Sequence, residues 1–343
     1  MFEKVDAYLI LSEENRFYFT GFRSSFGCVI LSPTEKFFLT DPRYASEARK
    51  CVDGFNIITT TGAGLYADVL NVLGKIGAKN VGFEDEYVTV SSYKAISSTL
   101  DGFVLTPASE DIADKRVIKS QEEIKKIADA EALTAKALAK TLPLLKVGVT
   151  EKEISDELTY NMLSLGAESL AFENIVAFGA NTANPHHHVT DKKLEKNDMV
   201  TFDIGARLNG YCGDMTRTFC FGTPSEDLAK IHKIVLEAQT YALKNIKAGM
   251  TGREAHLLAS EYITAHNYGE EFTHSLGHGI GVDVHERPYA SIRSNEVLRE
   301  NMVISVEPGI YVDGLGGVRI EDLVVIKEDG VENLTDFDKS INL

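Results

Sequence analysis

No stretch of this 343-residue sequence approaches the ~20 consecutive apolar residues of a membrane-spanning helix, so no membrane partner is expected. Cysteine is scarce: Cys28, Cys51, Cys212 and Cys220 show no C-x-x-C spacing and no dense framework. That excludes a disulfide scaffold and fits reduced thiols in a cytoplasmic protein. Basic residues are outnumbered, 35 against 51 acidic, for a formal net charge of −16, which argues against a nucleic-acid partner. The opening MFEKVDAYLIL has a short apolar run but acidic flanks and no small-residue cleavage site, unlike a secretory signal. There is no low-complexity tract, and a chain of this length with 44% hydrophobic residues can bury the cores of two domains. Histidine is missing from the first 185 residues. Nor is there a Gly-rich phosphate loop among the first hundred or so, so no chemistry is expected there.

What is present centres on residues 199–217, MVTFDIGARLNGYCGDMTR. The pattern predicts a β-hairpin turning at Asn209 and Gly210, with one carboxylate on each arm, Asp203 and Asp214. Period-2 geometry sets Asp203 on the face opposite Phe202. A single acidic residue in an apolar strand is either a satisfied structural carboxylate or a cation ligand. Two facing each other repel unless something positive lies between them. Residues 302–322, MVISVEPGIYVDGLGGVRIED, repeat the arrangement, with Glu307 closing an apolar strand and Glu321 on the returning one. Four carboxylates on two similar hairpins suggest a metal cage.

The first third alternates short apolar runs with helical patterns. Strands are expected at 7–11, 28–31, 37–40, 55–59, 81–84 and 103–105, helices at 44–51, 65–76 and 91–100, which makes a small α/β domain. A polar run, 109–119, marks the boundary, dividing the chain into 1–115 and 116–343. Ser120 with Glu123 forms a capping box that opens a long helix ending near Pro143. Then KVGVTEKE (146–153) and KAGMTGRE (247–254) each place a Gly at a helix end and a Thr…Glu capping box at the next start. Each is flanked by amphipathic helices and followed by a carboxylate-bearing hairpin. This order predicts an internal duplication about a pseudo-twofold that brings Asp203, Asp214, Glu307 and Glu321 together.

Of the nine histidines, His232, His256 and His266 lie in amphipathic helices with surface or packing roles. The others form two clusters, His186-His187-His188 and His274…His278…His285. Gly277, Gly279 and Gly281 argue against a helical His274/His278 pair; a strand would set His274, Leu276 and His278 on one face. Glycine on both sides of His278 leaves room for a ligand to approach the backbone. One imidazole with four carboxylates suits two small divalent cations, Mn²⁺ first by its oxygen preference, with Co²⁺, Zn²⁺ and Fe²⁺ as alternatives. Strand alternation would put Cys212 on the same face as Asp214, either as a packed small residue or as a thiol near the metals.

FDIGA, YCGDMTRT, HSLGHGIGVDVHE, EPGIY and GGVRIED together resemble the "pita-bread" metallopeptidases, in particular the Xaa-Pro aminopeptidases and Xaa-Pro dipeptidases (prolidases). RVIKSQEEI and NRFYFTGF…DPRY resemble the two-domain members, so the likeness spans essentially the whole chain. It implies an α+β protein: a C-terminal pita-bread domain with internal pseudo-twofold duplication, preceded by a smaller α/β creatinase-like domain. It implies Asp203, Asp214, His278, Glu307 and Glu321 as ligands of two metal ions, Asp214 and Glu321 bridging. His186, His285 and Glu307 are the implied catalytic residues, and His186, His274, His285 and Arg319 the substrate-binding ones. The implied activity is hydrolysis of the bond before proline at the N-terminus of di- or oligopeptides, with Glu307 as base and a water acidified by the metals. The implied assembly is a homodimer. A non-catalytic binding protein, a metal-free creatinase-like hydrolase and an aminopeptidase without proline specificity are the rival readings; the five filled ligand positions count against the first two.

Overall fold

The alternating runs of the N-terminal third fold around one six-stranded sheet. The computed structural model describes residues 2–342, and the chain divides after Arg116 into two compact units. The first contains β1 (Ala7–Ile10), α1 (Glu13–Thr20), β2 (Cys28–Leu31), β3 (Lys36–Thr40), α2 (Pro42–Cys51) and β4 (Asn56–Thr59). It continues through α3 (Leu65–Lys75), β5 (Asn80–Phe83), α4 (Val90–Thr99), β6 (Val104–Pro107) and α5 (Ser109–Val117). The sheet order is β4-β3-β2-β1-β5-β6, antiparallel within β1–β2–β3 and parallel elsewhere. Alternate residues of β1 to β3 feed two cores: Leu9, Ile30 and Leu39 join Val72 and Ile96, whereas Ile10, Val29 and Phe38 join Ala48 and Ile112. Burial on both faces explains why these strands read as unbroken apolar runs. Helix α1 has no counterpart among the expected elements, because it buries only Arg16 and Thr20 and carries no apolar stripe. The polar boundary run is itself helical, as α5.

The second unit opens with α6 (Gln121–Thr141) and α7 (Glu151–Ser164), then β7 (Ser169–Leu170), β8 (Ile175–Phe178), β9 (Met199–Ile204), β10 (Ala206–Leu208), β11 (Tyr211–Cys212) and β12 (Met215–Cys220). It repeats with α8 (Glu226–Asn245) and α9 (Gly252–Ala265), then β13 (Gly277–Gly279), β14 (Glu286–Ala290), β15 (Val303–Val306), β16 (Gly309–Val312), β17 (Gly316–Arg319), β18 (Asp322–Lys327) and β19 (Gly330–Asn333). Capping boxes form at Ser120/Glu123, Thr150/Glu153 and Thr251/Glu254, each cap contributing about 1 kcal/mol. The duplication extends to individual hydrogen bonds. Gly148 N–H donates to Leu194 O (2.9 Å) and Gly249 N–H to Leu298 O (2.8 Å). Leu194 and Leu298 donate in return to Val149 O and Met250 O, at 2.8 and 2.7 Å. None of the described helices is long and apolar enough to cross a membrane.

Both expected hairpins form, but each is broken, the first beside Asp214 and the second at Glu307 and Glu321, whereas Asp203 stays within β9. Strand β9 pairs with β12 as far as Ile204↔Met215, after which β10 pairs instead with β11 and β7. The break is at Gly205, where a Cβ would lie 2.2 Å from the Gly213 carbonyl oxygen. The second hairpin splits into β15–β18 and β16–β17, leaving Glu307-Pro308 and Ile320-Glu321 outside either ladder. Pro308 has no N–H to continue the pairing. Glu321 and Asp214 therefore sit in gaps between strands rather than on them.

Candidate metal centre

The gaps bring the acidic side chains to one place. A cavity of about 500 Å³ in the second unit is lined by Asp203, Asp214, His278, Glu307 and Glu321. His186, His274, His285 and Arg319 line the same cavity. Ligand atoms of Asp214, His278 and Glu321 all lie within 4.8 Å of one another. All the site residues expected from the sequence therefore share one space, although they are spread over more than 130 positions from His186 to Glu321.

Two details bear on what could occupy it. The Nδ1 of His278 lies 3.1 Å from the Gly279 carbonyl oxygen, which requires the ring proton on that nitrogen. Its Nε2 then carries the lone pair and faces Glu307 Oε1 at 3.3 Å and Asp214 Oδ2 at 3.6 Å without a proton to offer either. Glu321 Oε1 is buried without a hydrogen-bond partner. A cation satisfies all of these atoms at once, so the donor set fits a metal. Without one, burial and the neighbouring Glu321 and Asp203 hold the Asp214 carboxyl well above its usual range. Burial and the nearby carboxylates raise Glu321 in the same sense, and Glu307 rises to about 7, chiefly by burial. Burial keeps His278 below the ordinary imidazole value, as the neutral form that ligates.

Several residues that the sequence reading did not single out hold these groups in place. Thr216 Oγ1 donates to Glu321 Oε2 (2.7 Å), and Ser305 Oγ donates to Glu307 Oε1 (2.9 Å) while accepting from His278 N–H (3.1 Å). The fully buried Glu131 of α6 accepts the Asp214 N–H at 2.9 Å and the Thr335 hydroxyl at 2.6 Å. Arg319 donates to Asp203 Oδ2 (2.6 Å), Thr216 Oγ1 (3.1 Å) and the Tyr311 hydroxyl (2.6 Å), and that hydroxyl lies 2.9 Å from His274 Nε2. Burial and the Arg319 charge push His274 down to about 3, so it stays neutral. His187, given no role from sequence, is buried against Glu151, its Nε2 2.8 Å from Oε2. Glu151 also accepts from Phe178 N–H, Asn181 Nδ2 and Thr190, pinning the loop that presents His186 and His188 to the cavity.

Three local expectations are corrected. The strand expected over 274–278 shrinks to Gly277–Gly279, and His274 lies outside it. The glycines beside His278 admit the protein's own backbone rather than a ligand: a Cβ on Gly277 would lie 2.0 Å from Ser305 O and one on Gly279 2.3 Å from Arg287 O. Cys212 does not line the cavity; the chain leaves the strand at Gly213, alternation ends there, and the thiol packs at 3.6 Å from Val282 O.

Comparison with known proteins decides the family. The model of metallopeptidase family M24 matches residues 125–328, more than half of the chain, and that of the creatinase/prolidase N-terminal domain matches 3–118. The chain belongs to metallopeptidase family M24. Among relatives of this M24 protein, a Bacillus subtilis (strain 168) protein, uncharacterized peptidase YqhT, is 41% identical over 98% of this chain and 95% of its own. The structure of an Xaa-Pro dipeptidase from Bacillus anthracis superposes with a TM-score of 0.95 at 40% identity, covering 99% of this chain and 95% of that one. That of an X-Pro aminopeptidase from Thermotoga maritima MSB8 gives 0.93 at 38% identity, covering 99% and 98%. Membership of M24 confirms the two-domain, pita-bread architecture and implies divalent metal ions.

Proposed function

We propose that this M24 protein hydrolyses the peptide bond before proline at the N-terminus of peptides, with two divalent cations held by Asp203, Asp214, His278, Glu307 and Glu321. The observation that carries the reading is the His278 Nε2 lone pair and the orphaned Glu321 Oε1 directed into one acid-lined cavity. Bound divalent cations supply a water acidified toward neutrality and polarise the scissile carbonyl. The oxygen-rich donor set favours Mn²⁺ over Co²⁺, Zn²⁺ or Fe²⁺. Glu307, oriented by Ser305, accepts the proton of the attacking water and passes it to the departing proline nitrogen. His285 and His186, both at the cavity, hold the scissile carbonyl and its developing negative charge. The His274–Tyr311–Arg319 chain fixes Asp203 in position beside the substrate amine. Phe172, Ile175, Val284 and Tyr289 give the cavity an apolar wall suited to a rigid pyrrolidine ring that brings no N–H to satisfy. We take 116–343 as the catalytic domain and 1–115 as the N-terminal domain of a cytoplasmic homodimer.

The test is cleavage of Xaa-Pro, Xaa-Pro-Yaa-Zaa and Xaa-Ala-Yaa-Zaa peptides by Mn²⁺-loaded protein. The proline peptides are expected to be cut at least about 100-fold faster than the alanine peptide, the discrimination expected of a fitted pocket. Equal rates would leave a peptidase without proline specificity, and no cleavage of any peptide would overturn the proposal. The ratio between the first two peptides separates dipeptidase from aminopeptidase.

A further inference from the structure

Helix α8 contains a glutamine, Gln239, that is fully buried in the interior and does not line the cavity. Its Nε2 donates both hydrogens, to Val306 O at 3.1 Å and to Ile320 O at 3.2 Å. Val306 and Ile320 are the residues immediately before Glu307 and Glu321. Val306 ends one ladder, paired with Asp322, and Ile320 lies in the gap between that pair and Gly309↔Arg319. Across that gap the Ile320 N–H reaches Pro308 O only at 3.5 Å. One amide side chain therefore spans the two arms where their ladder is interrupted.

The amide is held in one orientation. Its Oε1 accepts from Lys339 Nζ at 2.9 Å, and the same ammonium is ion-paired with Asp322. Rotating the amide by half a turn would set an oxygen against two carbonyl oxygens and an NH₂ against an ammonium. In the first half a helix side chain also reaches the break, where the Thr134 hydroxyl of α6 accepts the Ala206 N–H at 2.9 Å.

We infer that Gln239, braced by Lys339, is a positioning residue that fixes the spacing of Glu307 and Glu321 in the metal cage. The inference rests on the metal centre proposed above. Neither side chain touches the cavity, so the effect is on how well the cage binds cations rather than on any reacting atom. It also makes the segment that carries Lys339, beyond the last strand β19, part of the support of the site.

The experiment is a Mn²⁺ titration of chelator-stripped full-length protein by calorimetry, with the Tm of the metal-free form measured alongside. Gln239→Met keeps the volume and removes both donors. It is expected to weaken Mn²⁺ binding at least about tenfold, as losses of outer-shell support do. Leu243→Ala, on the same helix and packed against the same core but with a side chain that makes no hydrogen bond to the hairpin, lowers the metal-free Tm and leaves the Mn²⁺ affinity within about twofold. Lys339→Met, which removes only the brace, is expected to weaken binding by about threefold and carries the test if Gln239→Met does not fold. Wild-type affinity in Gln239→Met, or in Lys339→Met when that variant carries the test, overturns the inference. So does equal weakening in Leu243→Ala. A wild-type protein that binds no Mn²⁺ overturns the metal centre itself.

Discussion

Asp214→Ala is expected to lose bound metal and turnover together while remaining folded. The carboxylate is nearly buried, and its pKa is raised by burial and by Glu321 and Asp203, so the metal-free protein already suffers from its charge. Removing it relieves repulsion on Glu321, and the backbone stays anchored because the Asp214 N–H bond to Glu131 does not involve the side chain. The metal-free Tm should therefore match or exceed that of the wild type. Loss of an outer-shell partner alone weakens metal binding by 10–100-fold, so loss of a proposed bridging ligand should exceed about 100-fold. Turnover on Xaa-Pro substrates falls at least as far. Metal content after desalting, measured with kcat/KM, checks this; a fully active Asp214→Ala protein would end the metal-centre account.

The second large effect is on the wild type when its metals are stripped. Glu307 moves from its ordinary 4.5 to about 7 in the metal-free fold, and Asp214 and Glu321 move the same way. A carboxyl whose folded pKa is raised keeps a proton that the unfolded chain gives up. Its contribution to stability is therefore lost as pH rises from about 4.5 to about 7, and the loss is complete above that window. Cations replace those protons and remove the penalty. The imidazoles act in the opposite sense: His274 and His278, held below the ordinary value, favour the folded state less as pH falls below about 6.5. The diagnostic quantity is thus the Tm difference between loaded and stripped protein, followed from pH 5 to pH 8. It should widen with pH by on the order of 5–10 °C, since Glu307 alone shifts by enough for about 3 kcal/mol. A difference that stays flat would mean these carboxyls do not share a cation site.

The acidic part of the site was legible because its residues violate their surroundings. Asp203 interrupts an apolar strand, Glu307 closes one, and a buried charge has few explanations. The duplication was legible because two capping boxes with glycine at φ near +90° repeat in the same order. Residues that support the site were not legible, since nothing local distinguishes them. Glu131 and Gln239 sit in amphipathic helices among other polar residues, and only the packing turns them inward. Tyr311 reads as a strand aromatic until Arg319 and His274 arrive from elsewhere in the chain. Alternation could not anticipate the breaks at Gly205, Gly213 and Pro308, and each local error about Cys212 and the hairpin arms traces to one of them.

The most direct test is anomalous scattering from crystals of the full chain equilibrated with Mn²⁺. The account requires two peaks in the cavity, with Asp203, Asp214, His278, Glu307 and Glu321 as their protein ligands and Asp214 and Glu321 shared between them. No peak there, or peaks bound by other side chains, would contradict it.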